Sequence, residues 1–275
     1  MPFQTTIAGA VHHAGIGLHS GREVHLTILP APADTGIVFV RKDLADKPRI
    51  RAIAPHVTST LRATTLEENG VRVFTVEHMM SALAAFGIDN CFVEMDAEEP
   101  PVADGSSLVF FRLLQQAGKR ALEKERRELV IDRTYRIDDG ERFLVAVPYE
   151  AGFRVSFTSL NEHALVGTQY RDFLLEETAY EKEIAPARTI AYEAEVETLR
   201  KMGLGLGGTL ENVIVYNDER WLNDLRYPDE LVRHKVLDLI GDLRLAGFVR
   251  GHILAVKSGH ELNARLAKEI YAALA

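Results

Sequence analysis

One ten-residue run, positions 233–242, constrains this chain more than any other segment: it reads Arg-His-Lys-Val-Leu-Asp-Leu-Ile-Gly-Asp. Within it His234, Asp238 and Asp242 recur every four residues, and apolar residues fill most positions between them. Side chains four residues apart lie about one turn apart on the same face of an α-helix. The run therefore predicts a helix with one polar stripe, on which an imidazole and a carboxylate can reach the same metal ion.

A third metal ligand is available at the start of another predicted helix, where Glu77 precedes His78. Two histidines, one aspartate and a free glutamate are typical of a hydrolytic zinc site, in which three protein ligands leave one position open. We therefore predict His78, His234 and Asp238 as zinc ligands and Glu77 as general base. Spacing alone leaves alternatives open, because His and Asp at this spacing also form surface pairs. An acid in a first helical turn is also favoured by the helix dipole.

Asp242 lies one turn beyond Asp238, too far along the helix for easy metal ligation. It is better placed to orient His260, whose imidazole would then stay protonated near neutral pH and could donate a proton to an amine leaving group. A helix cap or a loop hydrogen bond explains His260 equally well. Lys235 could stabilise a developing oxyanion or a phosphate, although a solvated lysine is the commoner outcome.

Composition excludes several classes of function. The 275 residues include 40 acidic and 32 basic side chains, and the net charge of -8 gives no case for binding a nucleic-acid polymer. The single cysteine, Cys91, excludes an internal disulfide and fits a reducing compartment. Because no signal-like N-terminus and no apolar stretch of about 18 residues is found, we expect a cytoplasmic protein without a transmembrane segment.

Strand and helix patterns occur twice in the same order: strands, a helix with a histidine near its start, a glycine stop, another strand and a final helix. In the first half, Thr75 is predicted to cap the helix that Gly87 ends. The charged stretch 119–128 is predicted to be a linker. We expect an α+β fold of two similar sandwich domains, 1–124 and 125–275, each a mostly antiparallel sheet packed on helices. The metal would lie where the two helix layers meet.

Two further features give weaker signals. The glycine-rich segment 203–208 lacks the Lys-Ser/Thr of a P-loop, and we interpret it as a flexible loop near the substrate. His19, within Gly-Leu-His-Ser-Gly at 17–21, is a candidate for lining the site.

Ordered motifs along nearly the whole chain resemble one known family. They are Gly-Ile-Gly-Leu-His-Ser-Gly at 15–21, Thr-Val-Glu-His at 75–78, Gly-Ile-Asp-Asn at 87–90, Pro-Val-Ala-Asp-Gly-Ser at 101–106, Ala-Arg-Thr at 187–189, Gly-Leu-Gly-Gly at 205–208, the run 233–242 and Lys-Ser-Gly-His at 257–260. This set is similar to the UDP-3-O-acyl-N-acetylglucosamine deacetylases, zinc amidases that make the committed step of lipid A biosynthesis. The resemblance implies two β-α-α-β sandwiches with the active site between them.

The resemblance also implies a role for each candidate residue. It assigns zinc to His78, His234 and Asp238, the general base to Glu77, and the general acid to His260, oriented by Asp242. It makes Thr189 and Lys235 polar contacts to the reacting carbonyl and the substrate, and it places Lys257 near the nucleotide diphosphate. An insert at about 188–212 is expected to shape a hydrophobic passage for the acyl chain.

Two departures from the family pattern fall where the family contacts its substrate. After Arg188-Thr189 the family usually has Phe, whereas this chain has Ile190 and then Tyr192. The usual Asp-Phe-x-His-Pro segment reads Leu-Asn-Glu-His-Ala at 160–164, so Asn161 replaces an aromatic ring that packs on the uracil. Loss of one stacking ring costs on the order of 1 kcal/mol, so we expect the nucleotide to bind differently or to be absent.

Three functions follow from these observations. The leading one is hydrolysis of the acetamide of a UDP-linked, 3-O-acylated N-acetylglucosamine, and the second is a divergent zinc amidase of the same fold that acts on another N-acylated sugar or acyl conjugate. The third is a non-catalytic paralogue that binds a glycolipid or a protein, against which the retained catalytic residues weigh. Acyl-chain length and oligomeric state, a monomer included, stay open. So does the tail Ala272–Ala275, which is either a protease signal or the fraying end of the last helix.

Overall fold

Helices and strands cover most of the chain, and the computed structural model describes residues 2–274. The helices are α1 (Glu77–Phe86), α2 (Leu108–Ala117), α3 (Glu177–Glu183), α4 (Glu193–Lys201), α5 (Glu230–Arg244) and α6 (His260–Leu274), with a 3-10 turn at Ala54–His56. The strands are β1 (Phe3–Ile7), β2 (Val11–Ile16), β3 (Glu23–Pro30), β4 (Ile37–Arg41), β5 (Arg49–Arg51), β6 (Val57–Ser59), β7 (Thr65–Glu68), β8 (Val71–Phe74), β9 (Cys91–Met95), β10 (Lys119–Glu125), β11 (Glu128–Val130), β12 (Tyr135–Asp139), β13 (Arg142–Val147), β14 (Phe153–Ser159), β15 (Gln169–Leu174), β16 (Ile190–Tyr192), β17 (Ile214–Tyr216) and β18 (Phe248–Val256).

Two large sheets are built on the same plan. The first has the strand order β2-β3-β9-β4-β5 and the second β12-β13-β18-β14-β15, with β11 paired to the start of β18. In each sheet the middle strand runs antiparallel to one neighbour and parallel to the other: β9 is parallel to β4, and β18 is parallel to β14. The other pairings along these two orders are antiparallel. The predicted α+β fold of two similar, mostly antiparallel sandwiches is confirmed.

The parallel pairs explain where the central helices lie. A parallel pair needs a crossover connection, commonly a helix. Helix α1 lies in the crossover from β4 to β9, and α5 lies in the crossover from β14 to β18. The two helices therefore occupy equivalent positions in the two halves, as the repeated sequence pattern predicts.

Helices α1 and α5 pack directly against each other. A Cβ atom at Gly241 would lie 2.1 Å from the backbone oxygen of Glu77, so only glycine allows the two backbones to approach this closely. Every residue of α1 is buried, and one continuous apolar core includes residues of both halves. This packing sets the first turn of α1 against the polar stripe of α5.

Local predictions about α1 are half right. Gly87 ends the helix in the left-handed region with a φ of 75°, as predicted. The prediction that Thr75 caps the helix is wrong, because Val76 is the N-cap residue and no side chain caps it. The Thr75 hydroxyl instead donates to the buried carboxylate of Glu99 at 2.8 Å, a charged acceptor that binds a donor more strongly than a neutral one does.

The charged stretch 119–128 is not a free linker. Residues 119–125 form β10, which pairs antiparallel with β1. Its side chains are mostly exposed, so a two-stranded ribbon accommodates the charges while the backbone hydrogen bonds are satisfied. The division into residues 1–124 and 125–275 stays a prediction.

At the C-terminus, α6 runs through residue 274, and Ala275, the last residue of the predicted tail, lies outside the described residues. Among residues 2–274, no helix has both the length and the apolar character needed to cross a membrane.

Candidate active site

Helices α1 and α5 bring the three predicted metal ligands together in the protein interior. His78 comes from the first turn of α1, while His234 and Asp238 lie one turn apart on α5, and all three are buried. Asp238 Oδ1 lies 3.4 Å from His234 Nε2 and 3.9 Å from His78 Nε2. One ligand atom from each residue lies within 4.8 Å of the others. These separations suit three atoms that share one ion.

His234 and Asp238 each use one polar atom in a hydrogen bond and keep another for a cation. A backbone carbonyl can only accept, so His234 Nδ1 donates to the Ala187 oxygen at 3.0 Å and Nε2 keeps its lone pair. Asp238 Oδ2 accepts from Lys235 Nζ at 2.8 Å, whereas Oδ1 is buried with no hydrogen-bond partner in residues 2–274. A buried oxygen in this state costs about 1–3 kcal/mol unless something binds it. Two imidazoles and this oxygen fit a divalent metal ion.

Burial and neighbouring charges set the protonation of the cluster. Burial lowers the pKa of His78 to about 3 and also lowers the pKa of His234, which favours the neutral imidazoles. Burial opposes ionisation of Asp238, but His234 and Lys235 outweigh it and hold the pKa of this carboxyl below its usual value. Neutral imidazoles beside an ionised carboxylate are in the state that metal binding requires.

A carboxylate and an imidazole face each other beside the cluster. Glu77, the first residue of α1, is buried, and its Oε1 lies 3.8 Å from His260 Nε2. His260 Nδ1 lies 2.9 Å from Asp242 Oδ2 on α5, and since an ionised carboxylate only accepts, Nδ1 is the donor. The polar stripe of α5 is therefore divided: His234 and Asp238 join His78, and Asp242 joins His260.

The pKa values of Glu77 and His260 are both raised above their usual values. Burial raises the pKa of Glu77 to about 8, and the nearby Asp242 and Asp238 add to the shift against the opposing effect of His260. Burial alone would lower the pKa of His260, but Asp242, Glu77 and Asp238 outweigh it and raise the pKa to about 10. The arrangement can accept a proton at one atom and donate one at another across a small space.

Thr64 belongs to this site, although the sequence patterns do not indicate it. It is 1% exposed, and its backbone N–H donates to Glu77 Oε2 at 3.1 Å while its hydroxyl donates to Asp242 Oδ1 at 2.6 Å. Its partners are 13 and 178 residues away in the sequence. No local period or spacing could therefore have found it.

Glu99 is another buried residue that the sequence patterns do not single out. It is fully buried and accepts from the backbone N–H groups of His19 and Ser20, at 2.9 and 2.8 Å, as well as from Thr75. Thr75 has a φ of 55°, which is rare for a β-branched residue. Glu99 thus fastens the loop that bears His19 to the segment that leads into α1.

A buried ion pair fixes the segment that follows α3. Arg188 Nε lies 3.0 Å from Glu230 Oε1, and the backbone N–H of Arg188 donates to the same oxygen. The pair anchors Arg188, which lies between Ala187 and Thr189 in the chain. The carbonyl of Ala187 orients His234. Thr189 in turn donates from its backbone N–H to the Gly105 oxygen at 3.0 Å.

A cavity of about 380 Å³ is lined by the predicted insert and by the loop that bears His19. Most of its wall is apolar and comes from residues that include Leu18, Val196, Leu199, Val213 and Leu222. Three predicted substrate contacts, His19, Thr189 and Ile190, line the cavity together with Arg62. The insert forms β16 and α4, which the sequence analysis does not predict as regular elements.

Three other predicted contacts are not among the residues that line this cavity. The Tyr192 ring packs near the rings of His163 and Tyr216, with centroid distances of 5.7 and 5.2 Å. Asn161 Oδ1 accepts the backbone N–H of His163 at 2.8 Å and so closes a tight turn. Lys257 Nζ lies 3.4 Å from Glu141 Oε2. Their roles toward a substrate stay predictions.

A buried His-His-Asp cluster beside a carboxylate and an imidazole–carboxylate pair defines a metal-dependent hydrolase. Comparison with known proteins narrows the class. A family model described as UDP-3-O-acyl N-acetylglycosamine deacetylase matches residues 4–272. The chain belongs to this family.

Curated relatives agree with the family assignment along almost the full length of the chain. A protein of Anaeromyxobacter dehalogenans is 47% identical over 272 residues, which is 98% of this chain and 87% of the relative. Proteins of Marinobacter nauticus and Myxococcus xanthus are 44% and 46% identical, over 98% and 97% of this chain and 90% and 86% of their own lengths. All three are named UDP-3-O-acyl-N-acetylglucosamine deacetylase.

Proposed function

We propose that this chain is a zinc-dependent deacetylase that hydrolyses the acetamide of UDP-3-O-acyl-N-acetylglucosamine to acetate and the free amine, the committed step of lipid A biosynthesis. The observation that supports it most is the buried His78, His234 and Asp238 cluster with Glu77 and His260 beside it. Family membership and the names of relatives at 44–47% identity support the same substrate.

His78, His234 and Asp238 would hold the zinc ion. Imidazole nitrogen and carboxylate oxygen are ligands that zinc favours, and three protein ligands are the usual number at a catalytic zinc. Asp238 Oδ1, which has no hydrogen-bond partner in the part of the chain that the structure describes, supports a bound cation independently of any comparison. When bound, zinc supplies Lewis acidity toward water and toward the amide carbonyl.

Glu77 and His260 would move the protons of the reaction. Glu77 accepts a proton from the attacking water as the water oxygen adds to the acetamide carbon. As the C–N bond breaks, His260 Nε2 gives its proton to the leaving nitrogen, which releases the amine and acetic acid. The acid loses its remaining proton to solvent as acetate, and return of the Glu77 proton to His260 restores both residues. Asp242 holds the Nδ1–H of His260 and stabilises the imidazolium, and Lys235 and Thr189 contact the carbonyl and the substrate.

The cavity along the insert would accept the acyl chain. Its apolar wall suits a hydrocarbon chain, and Thr189 lies in that wall two residues from Ala187, whose carbonyl binds His234. His19 would contact the substrate from the opposite half, and Lys257 would lie near the diphosphate. We also propose a cytoplasmic location, which the buried thiol of Cys91 fits.

An acetate-release assay tests the proposal on the purified, zinc-loaded protein. We expect turnover of the UDP-linked substrate, about one zinc per chain by elemental analysis, and a loss of at least about 100-fold in kcat for Glu77→Gln. Glu94→Gln is the matched control. Glu94 is a partly exposed carboxylate on β9 that pairs with Lys42 at the surface. A folded, zinc-loaded protein that releases no acetate would refute the proposal.

A second candidate substrate class is favoured by Asn161. Its side chain closes a turn with His163, and no stacking ring stands at this position. A divergent amidase of the same fold would act on an N-acylated sugar that lacks the nucleotide. Turnover of matched substrates with and without UDP decides between the two, since a strict requirement for UDP excludes the divergent activity.

A further inference from the structure

Thr64 lies between β6 and β7 and reaches into the centre of the candidate site. Its backbone N–H donates to Glu77, which belongs to α1 of the first half, and its hydroxyl donates to Asp242, which belongs to α5 of the second half. One buried residue thus contacts both the carboxylate that would accept a proton and the carboxylate that holds the imidazole that would donate one.

The Thr64 contacts determine which oxygens remain for other partners. Thr64 occupies Glu77 Oε2, which leaves Oε1 as the oxygen nearer to His260, at 3.8 Å from Nε2. On Asp242, Oδ2 accepts from His260 Nδ1 and from Asn263 Nδ2, both at 2.9 Å, and Oδ1 accepts from Thr64. Because Asp242 is fully buried, the loss of one donor is not made good by bulk water.

We propose that Thr64 is a positioning residue that sets the orientation of the Glu77 carboxylate relative to the His260 imidazole. The inference rests on the proposed deacetylase function, within which Thr64 touches neither substrate nor metal. Its backbone N–H fixes the rotation of Glu77, and its hydroxyl fixes Asp242 and, through Asp242, the His260 ring. Charge-assisted hydrogen bonds of this kind are short and directional, and the hydroxyl contact measures 2.6 Å.

Three variants separate the role of the hydroxyl from that of the fold. Thr64→Val keeps the shape and the backbone N–H but removes the hydroxyl, and Thr64→Ser restores it. We expect Thr64→Val to lower kcat by about 10- to 100-fold, the usual effect of losing a partner of an active-site ligand, with KM changed less than about twofold. Thr64→Ser should recover most of kcat. Thr65→Val, at the half-buried next position on β7, is the matched control and should behave as wild type.

A double-mutant cycle tests whether Thr64 acts through the imidazole. In a His260→Ala background, Thr64→Val should cause much less further loss than it does alone, because the group that it positions is missing. Thermal denaturation and zinc content accompany every kinetic measurement. If Thr64→Val does not fold, Thr64→Ala replaces it in the same series.

The outcomes distinguish this inference from the proposed function. If the wild-type protein is folded and zinc-loaded but inactive, the deacetylase proposal fails. If the wild type is active and folded Thr64→Val keeps its kcat, or loses kcat equally in both backgrounds, Thr64 is not a positioning residue. A Thr64→Ser variant as slow as Thr64→Val would also overturn the inference.

Discussion

The contact between α1 and α5 makes Gly241→Ala an informative perturbation. The added Cβ would lie 2.1 Å from the Glu77 backbone oxygen, whereas a close carbon–oxygen contact is about 3.3 Å, so α1 must move by about 1 Å. Such overpacking costs about 1–3 kcal/mol, and the better helix propensity of alanine returns about 1 kcal/mol. Because the clash is with backbone atoms of a buried helix, the cost falls at the upper end of this range, and the net loss of stability is about 2 kcal/mol. Activity should suffer more, because a shift of about 1 Å at a reacting group can cost about 100-fold.

Urea denaturation and acetate release on the same preparations check this prediction. Gly9→Ala is the control, since the nearest atom to its added Cβ, the Ala117 oxygen, is 3.8 Å away. We expect Gly241→Ala to be folded, to lose about 100-fold in kcat/KM and to bind zinc more weakly. Wild-type activity and zinc content in this variant would show that the helix contact does not set the geometry of Glu77 and His78.

Three other perturbations have definite expected outcomes. A chelator should lower Tm, because an ion that binds only the folded protein stabilises it by about 4 kcal/mol at 1,000 times Kd; Asp238→Ala should abolish this response in thermal melts. Burial raises the pKa of Cys91 to about 12 from 9.0, so the unfolded chain releases this proton first and the free energy of unfolding should fall by up to about 1.4 kcal/mol per pH unit between these values. Urea titrations of Cys91→Ala should lack that part of the slope. Glu99→Ala leaves three donors without their buried acceptor and should cost about 3 kcal/mol or more in urea, whereas an unchanged midpoint would contradict the role of Glu99 as a fastening point.

The parts of the fold and site that the sequence predicts are those with a local period. The four-residue spacing of His234, Asp238 and Asp242 is a property of one helix, so it can be read without knowing what packs on that helix. The division of the stripe between a metal cluster and His260 also follows, because one helical turn separates Asp238 from Asp242. The similarity of the two halves follows from the repeated order of strands and helices.

Contacts between distant segments could not be read in this way. Thr64 donates to Asp242 across 178 residues, and no pattern near either residue reports the other. The capping prediction for Thr75 fails for a related reason: a buried carboxylate 24 residues away binds the hydroxyl that local rules assign to the helix end. The charged stretch 119–125 forms a strand because its backbone finds a partner in β1, which composition does not reveal.

The loop between β6 and β7 has a consequence for the design of ligands. Arg62 lines the cavity, and Thr64, two residues later, is bonded to Glu77 and Asp242. Two residues span at most about 7 Å, so the loop gives little slack between these points. A ligand tail that shifts the backbone of Arg62 must strain or move Thr64, and this would change the contacts of a head group bound at the metal. Free energies measured for head and tail fragments separately should therefore not add when the two are joined.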